Sequence, residues 1–212
     1  YANQYKFDEL LVDGNVIWIP NYVVKSPREC KTIIVNPKDL KYRVLMIHKD
    51  KRELAGTNVL KYIEWGEERG FHKRLTCASR QKWYELTRVR SNLIWVKGIW
   101  DRHFIPIAYF KPFVDQQLYA VQLKPGIDET LLASLLNSTI FAIFQELGGR
   151  IPFGEGILWI AVYEPHRMPI INPIKIADEV KRKIVWRLLK YYIWVKKRLI
   201  YPFKGYKRVT KG

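Results

Sequence analysis

The run DETLLASLLNSTIFAIFQEL, residues 128–147, is the stretch whose reading settles the fold class. Leu131, Leu132, Leu135, Leu136, Ile140, Ile143 and Phe144 recur at steps of three and four, the spacing that lines one face of an α-helix. Asp128 and Glu129 open the run, where carboxylates meet the positive end of a helix dipole. Gly148-Gly149 closes it. The spacing predicts one helix over 128–147.

On both sides of this helix the period changes. Upstream, Val16-Ile17-Trp18-Ile19 stops at Pro20 and Tyr22-Val23-Val24 stops at Ser26-Pro27. Thr32-Ile33-Ile34-Val35 stops at Asn36-Pro37, and Arg43-Val44-Leu45-Met46-Ile47 follows. Short β-branched runs closed by turn residues read as strands. A helix is expected over 58–70, with Val59, Leu60, Ile63 and Trp65 on one face and Gly66 or Gly70 ending it. Strand-like runs return between 75 and 122: Leu93-Ile94-Trp95-Val96, Phe104-Ile105-Pro106-Ile107 and Leu118-Tyr119-Ala120-Val121. Pro106 and Pro112 suit edges or turns.

Downstream, a glycine-rich loop over 148–156 leads into Ile157-Leu158-Trp159-Ile160-Ala161-Val162, a further strand. Pro165, Pro169 and Pro173 mark a linker, and a last helix is expected over 176–200. Its apolar positions include Ile184, Leu188, Tyr192, Val195 and Leu199, with lysines and arginines filling much of the remainder. Irregularly mixed strands and helices predict an α+β fold of mixed or antiparallel strands, a few helices and a long basic C-terminal helix. Residues 1–175 are expected to form one domain, with the helix and tail of 176–212 packed on it.

The chain has 212 residues and a net charge of +17, which attracts polyanions but does not choose among DNA, RNA and anionic lipid. The charge is uneven. Residues 181–212 hold twelve basic side chains and no acidic one, while 69–103 hold nine basic and two acidic. Cys30 and Cys77 stand far apart and read as reduced thiols of a cytoplasmic protein. No signal peptide opens the chain, and no apolar run approaches a membrane span, so no membrane partner is expected. Because the chain starts at Tyr1, it is expected to be a piece of something longer.

Residues 62–86 are unusual in interleaving Arg69, Lys73, Arg74, Arg80 and Lys82 with Phe71, Trp83 and Tyr84. Arginine grips phosphates or guanine edges in pairs of hydrogen bonds, and aromatic rings back the arginine plane or stack on bases. The plain alternative is a basic hairpin whose Trp83 and Tyr84 belong to the core. His72 lies inside this segment, within reach of phosphate. The histidines His48, His103 and His166 are scattered, with no carboxylate or second histidine at metal spacing. Ser134 and Ser138 have no base nearby in sequence.

Four pieces in order resemble the C-terminal recognition region of adenine-specific DNA methyltransferases of restriction–modification systems, of the Taq-like class. Tyr62-Ile63 with Gly66-Glu67 is the first, and Arg80 followed by Trp83-Tyr84 the second. Leu135-Leu136-Asn137-Ser138 resembles that family's leucine–asparagine–serine helix. Gly154-Glu155-Gly156-Ile157-Leu158, with Pro169 beyond, resembles its Gly-x-Gly-x-Leu loop and proline-bearing strand end. The resemblance spans roughly residues 20 to 175.

The resemblance implies a domain that lies across double-stranded DNA and reads a short target, beside a catalytic domain that binds S-adenosylmethionine and methylates a flipped adenine. That catalytic domain is not encoded here. No Pro-Pro dipeptide occurs, so the Asn/Asp-Pro-Pro-aromatic motif is absent, and Asn36-Pro37 and Asn172-Pro173 do not supply it. The glycine-rich strand–turn–helix for a cofactor is missing too. Catalysis and S-adenosylmethionine are therefore expected upstream or on a separate subunit, with no cofactor in this chain. Phosphate contacts supply register and base contacts supply choice, and holding a duplex while a base leaves it requires both. The candidate DNA contacts are Arg69, His72, Lys73, Arg74, Arg80, Lys82, Trp83, Tyr84 and Arg150, with Gly154 and Gly156 either admitting DNA close to the backbone or simply forming a tight turn. A metal-dependent nuclease built on Glu179-Val180-Lys181 is one rival, and an RNA or anionic-surface protein using the last helix, with its Trp186, Tyr191, Tyr192 and Trp194, is another.

Overall fold

The computed structural model describes residues 7–12, 15–100, 102–152 and 156–200, with side chains described between 20 and 193. The fold is α+β. A hairpin of β1 (Phe7–Val12) and β2 (Asn15–Pro20) precedes a three-stranded sheet in which β3 (Tyr22–Val24) pairs antiparallel with β4 (Tyr42–Arg43) and parallel with β7 (Phe113–Val114). Two antiparallel pairs complete the strands: β5 (Leu93–Val96) with β8 (Leu118–Val121), and β6 (Gly98–Ile99) with β9 (Leu158–Trp159). The helices are α1 (Asn58–Glu68), α2 (Leu75–Ala78), α3 (Glu129–Leu136), α4 (Thr139–Gly148) and α5 (Asp178–Ile200).

β5 is the spine of the molecule. All four of its residues are buried. Strand alternation sends Leu93 and Trp95 into one apolar cluster, with Ile105, Ile107, Leu132, Leu136, Phe141 and Ile160. Ile94 and Val96 enter a second, with Val24, Cys30, Val35, Leu40 and Leu118. Each such side chain contributes about 1.5–3 kcal/mol on burial, so a strand with no solvent face holds both layers together. α5 lies against α3, and its Leu188 is buried in the first cluster. Ile184 and Tyr192 are half-buried beside it. Val195 and Leu199 fall outside the described side chains.

Residues 45–88 form a smaller lobe with its own core of Ile47, Leu54, Val59 and Ile63, against which Leu45, Leu60, Trp83 and Tyr84 pack.

Several sequence expectations change. The helix expected over 128–147 is two helices, bent by 64° between α3 and α4. The break has a local and a distant cause. Ser138 caps α4 by accepting from the Phe141 amide at 3.2 Å. Asn137 accepts from the Ile105 amide at 2.9 Å and donates to the Ile105 carbonyl at 2.9 Å and the Ala133 carbonyl at 2.7 Å. The Leu-Asn-Ser signature thus ends one helix, starts the next and ties the corner to the strand-like segment at 105. The strands expected at 32–35 and 104–107 reduce to bridges, Ile34 and Leu93 each pairing with Ile107. The run expected at 43–47 keeps only Arg43 in a strand, and 157–162 keeps Leu158–Trp159. Residues 75–78, expected among strand-like runs, are the short helix α2.

α1 runs to Glu68 and stops before Gly70, not at Gly66. Gly66 serves packing instead: a Cβ there would lie 2.5 Å from the Trp83 ring. Trp65, expected on the buried face of α1, is 40% exposed.

Candidate nucleic-acid interface

The cation-rich segment is built around α1. Thr57 caps the helix by accepting from the Leu60 amide at 3.2 Å, and Val59 and Ile63 turn inward. That rotation leaves Tyr62 and Trp65 outside, 58% and 40% exposed. Their rings stack, with centroids 5.5 Å apart and planes 18° from parallel. The Arg69 guanidinium lies 4.8 Å over Trp65, and Phe71 meets Trp65 edge-on at 5.6 Å. Arg74 lies 4.5 Å over Phe71. Tyr62, Trp65, Arg69, Phe71 and Arg74 therefore form one continuous cation–aromatic surface. Each such contact is worth about 0.5–1 kcal/mol at an exposed site, enough to fix the planes of the two arginines without neutralising them. Lys73, between them in sequence, is exposed.

Trp83 lies against Gly66 of α1, and Tyr84 stands beside Trp83. Trp83 donates its indole N–H to Glu67 at 2.9 Å, and Tyr84 donates to the Lys49 carbonyl at 3.0 Å. Their rings meet edge-on and pack on the core of the small lobe. Of the two sequence readings of this pair, the packing matches the core one. Glu67 also pairs with Lys51. Burial alone would raise the Glu67 carboxyl, but hydrogen bonds from Lys51 and Trp83 outweigh it and hold the group below the usual carboxylate range. His72 is near enough to add its charge to that balance, and its Nδ1 is buried without a hydrogen-bond partner.

Arg80 and Lys82 line a groove with His48, Glu85 and Arg88. Arg80 donates to the Glu85 carbonyl at 3.2 Å and is otherwise turned to solvent. Lys82 donates to the His48 carbonyl at 2.6 Å and pairs with Asp50 at 2.9 Å; the Asp50 hydrogen bond holds its ammonium above the usual lysine range. His48 Nδ1 meets Glu85 at 2.8 Å while Nε2 accepts from Arg88 at 2.8 Å. His103 bridges to α4, reaching Gln145 at 3.2 Å and Glu146 at 2.6 Å. Both histidine–carboxylate pairs span about forty residues of sequence, too far for spacing to reveal them.

Arg150 lies in the main lobe. It donates to the buried Glu164 carboxylate at 2.6 Å and sits 5.2 Å over Tyr163, whose other neighbour is Arg167 at 5.7 Å. Glu164 also accepts from the Ala161 amide at 2.6 Å. Gly156 is exposed, with φ +74°, so its left-handed backbone explains a glycine by a turn. Gly154 lies outside the described residues.

Not every cation of 69–103 faces outward. Arg90 donates to the Lys111 carbonyl at 3.1 Å and to Asn21, over the Phe113 ring. Arg102 donates to the Cys30 carbonyl at 2.7 Å over Phe104. Both tie loops of the main lobe together. Cys30 is fully buried there, and burial pushes its thiol up to about 12.

Among the described residues, no group of three His, Cys, Asp or Glu side chains is placed to hold a metal. Glu179 of the nuclease alternative pairs with Lys183 at 2.6 Å on the exposed side of α5. No single described helix is long and apolar enough to cross a membrane.

Residues 27–192 match the family of the C-terminal domain of the type II methyltransferase M.Eco57I. That span takes in α1, the groove, the Leu-Asn-Ser corner and most of α5. No curated protein matches the chain. On a match that covers well over half its length, the chain belongs to the M.Eco57I C-terminal domain family of type II methyltransferases.

Proposed function

We propose that this domain recognises double-stranded DNA in a sequence-specific way, as the target-recognition part of an adenine-specific methyltransferase. The observation that carries this reading is the exposed cation–aromatic surface of α1 and the turn after it, in which Arg69 and Arg74 are oriented by rings rather than neutralised by carboxylates. Fixed, charged guanidinium planes suit phosphate oxygens and guanine edges. Arg80 and the exposed Lys73 extend the positive field, and Trp83 supports α1 from below. Arg150 is a second, separate contact, with Glu164 fixing its Nε and Tyr163 its plane.

Methyl transfer belongs to a catalytic domain outside these residues. S-adenosylmethionine is assigned to that domain, because Gly156 leads into strand β9 and not into a helix whose N-terminus would face the cofactor.

The test is binding by the isolated chain. Fluorescence anisotropy with a labelled duplex is expected to show affinity falling steeply as salt rises. Structured RNA and anionic vesicles should compete poorly. Preference for either competitor would overturn the reading, and tight S-adenosylmethionine binding by calorimetry would overturn the assignment of the cofactor.

A further inference from the structure

The face of α4 turned away from the core is apolar and uncovered. Ile140, Ile143 and Leu147 follow one another at helical spacing and are 60%, 51% and 78% exposed. Ile140 and the half-buried Phe144 line a shallow depression with Pro169, Ile170 and Ile171, and Leu147 borders a neighbouring one with Phe144 and Pro169 that also holds Arg150 and Arg167. Ile170 and Ile171 are themselves exposed. These side chains make one continuous patch, unlike the single exposed aliphatics normal on a soluble surface.

Its electrostatics select the occupant. Residues 126–149 carry three carboxylates and no lysine or arginine, in a chain of net charge +17, and 168–174 carry no charge at all. The centre of the patch, around Ile140, Ile143, Ile170 and Ile171, therefore offers nothing to a phosphate backbone or an anionic headgroup, and Arg150 and Arg167 stand only at its Leu147 edge. Apolar centres with charge excluded are what inter-domain and subunit contacts of about 600–1,500 Å2 require. The family to which the chain belongs is defined as the C-terminal domain of a methyltransferase, so a catalytic domain is the protein that works beside it.

We infer that the exposed face of α4, with Ile170 and Ile171, is the surface on which the catalytic methyltransferase domain docks. The Asn137–Ser138 corner gives the face its direction. It turns α4 by 64° from α3, so α3 buries its leucines in the core while α4 presents its isoleucines outward. DNA on the α1 surface and the catalytic domain on α4 would then occupy chemically opposite faces of one domain. This inference rests on family membership and stands apart from the DNA reading.

The test compares the chain alone with the assembly it forms with its own catalytic domain, supplied on the same polypeptide or co-expressed. In a Cys77→Ser background, which leaves only the buried Cys30, Ile143→Cys is expected to react with a maleimide about tenfold more slowly in the assembly. Leu75→Cys, on the small lobe and 94% exposed, is expected to react equally in both. The double variant I140D/I143D is expected to weaken association with the catalytic domain by about tenfold or more while the chain's circular dichroism and duplex affinity stay unchanged. Equal reactivity of Ile143→Cys in the two states overturns the inference. So does a dimer of the isolated chain that the double variant abolishes, which would make a second copy the occupant, and so does vesicle binding that the double variant removes. Failure of the chain to bind duplex DNA counts against the preceding reading only.

Discussion

The small lobe and the α4 face expose aromatic or aliphatic side chains to a similar extent, yet they differ in what surrounds those side chains. On α1, the uncovered rings of Tyr62 and Trp65 carry Arg69, and Phe71 carries Arg74. On α4, Ile140 and Ile143 have no cation in the 24 residues 126–149, and Arg150 and Arg167 enter only at the Leu147 edge. Exposed apolar surface alone therefore says little about partners. Its charged neighbours separate a polyanion-facing surface from a protein-facing one. The main lobe adds a third use of the same chemistry: Arg90 and Arg102 sit over Phe113 and Phe104 but spend donors on the Lys111 and Cys30 carbonyls and, for Arg90, on the Asn21 side chain. A guanidinium on a ring marks a binding surface only when its hydrogens remain available.

Four measurements would break or sharpen this contrast. The largest effect is expected at the corner that sets the direction of α4. Asn137→Ala leaves the Ile105 amide and carbonyl without their partner, and should cost about 3 kcal/mol in urea unfolding. A near-neutral result would mean that the bend does not depend on that tie. Next comes the platform under α1. Gly66→Ala forces a methyl group against the Trp83 ring and should cost about 2 kcal/mol, with a shift of tryptophan emission. Unchanged stability and emission would show that Trp83 moves freely and does not brace the surface.

The third measurement addresses the two surfaces directly. Replacing Arg69 and Arg74 together by alanine should weaken duplex binding by about tenfold and lower the salt-dependence slope by about 2. Equal weakening by Ile143→Asp would erase the distinction between the faces. The smallest effect concerns Glu67. Its folded carboxyl titrates below its unfolded value of about 4.3, so its contribution is complete above that pH and disappears as pH falls through the folded value. Glu67→Gln should therefore lose less than about 1 kcal/mol at neutral pH and flatten the acid limb of a stability–pH profile. An acid limb identical to that of the parent would remove Glu67 from the account.

The sequence shows the pieces of this fold better than their joints. The periodicity of 128–147 reveals helix correctly, and β5 is visible as Leu93-Ile94-Trp95-Val96. The bend at Asn137 is hidden because Leu136 and Ile140 keep helical spacing across it, while its distant cause is a bond to Ile105, 32 residues away. The run at 104–107 looks like a strand because it is apolar, but Pro106 lacks an amide hydrogen and only Ile107 pairs. Arg69 and Arg74 were legible as interface candidates from charge and aromatic interleaving. Tyr62 and Trp65 were not, since Trp65 also fits the inward face of α1 and only packing by Val59, Ile63 and Gly66 turns it outward. His48 escaped notice because Glu85 and Arg88 reach it through the tertiary fold.

The two-sided burial of β5 has a practical meaning for anyone dividing this protein. A cut anywhere between residues 97 and 117 would strip the strand of its β8 partner, Leu118–Val121. A split reporter opened there would release fragments with sticky, unpaired edges that aggregate before they can find each other. Insertions belong instead at solvent-facing turns, such as the one around Gly126, where no side chain of the spine is asked to wait for its neighbour.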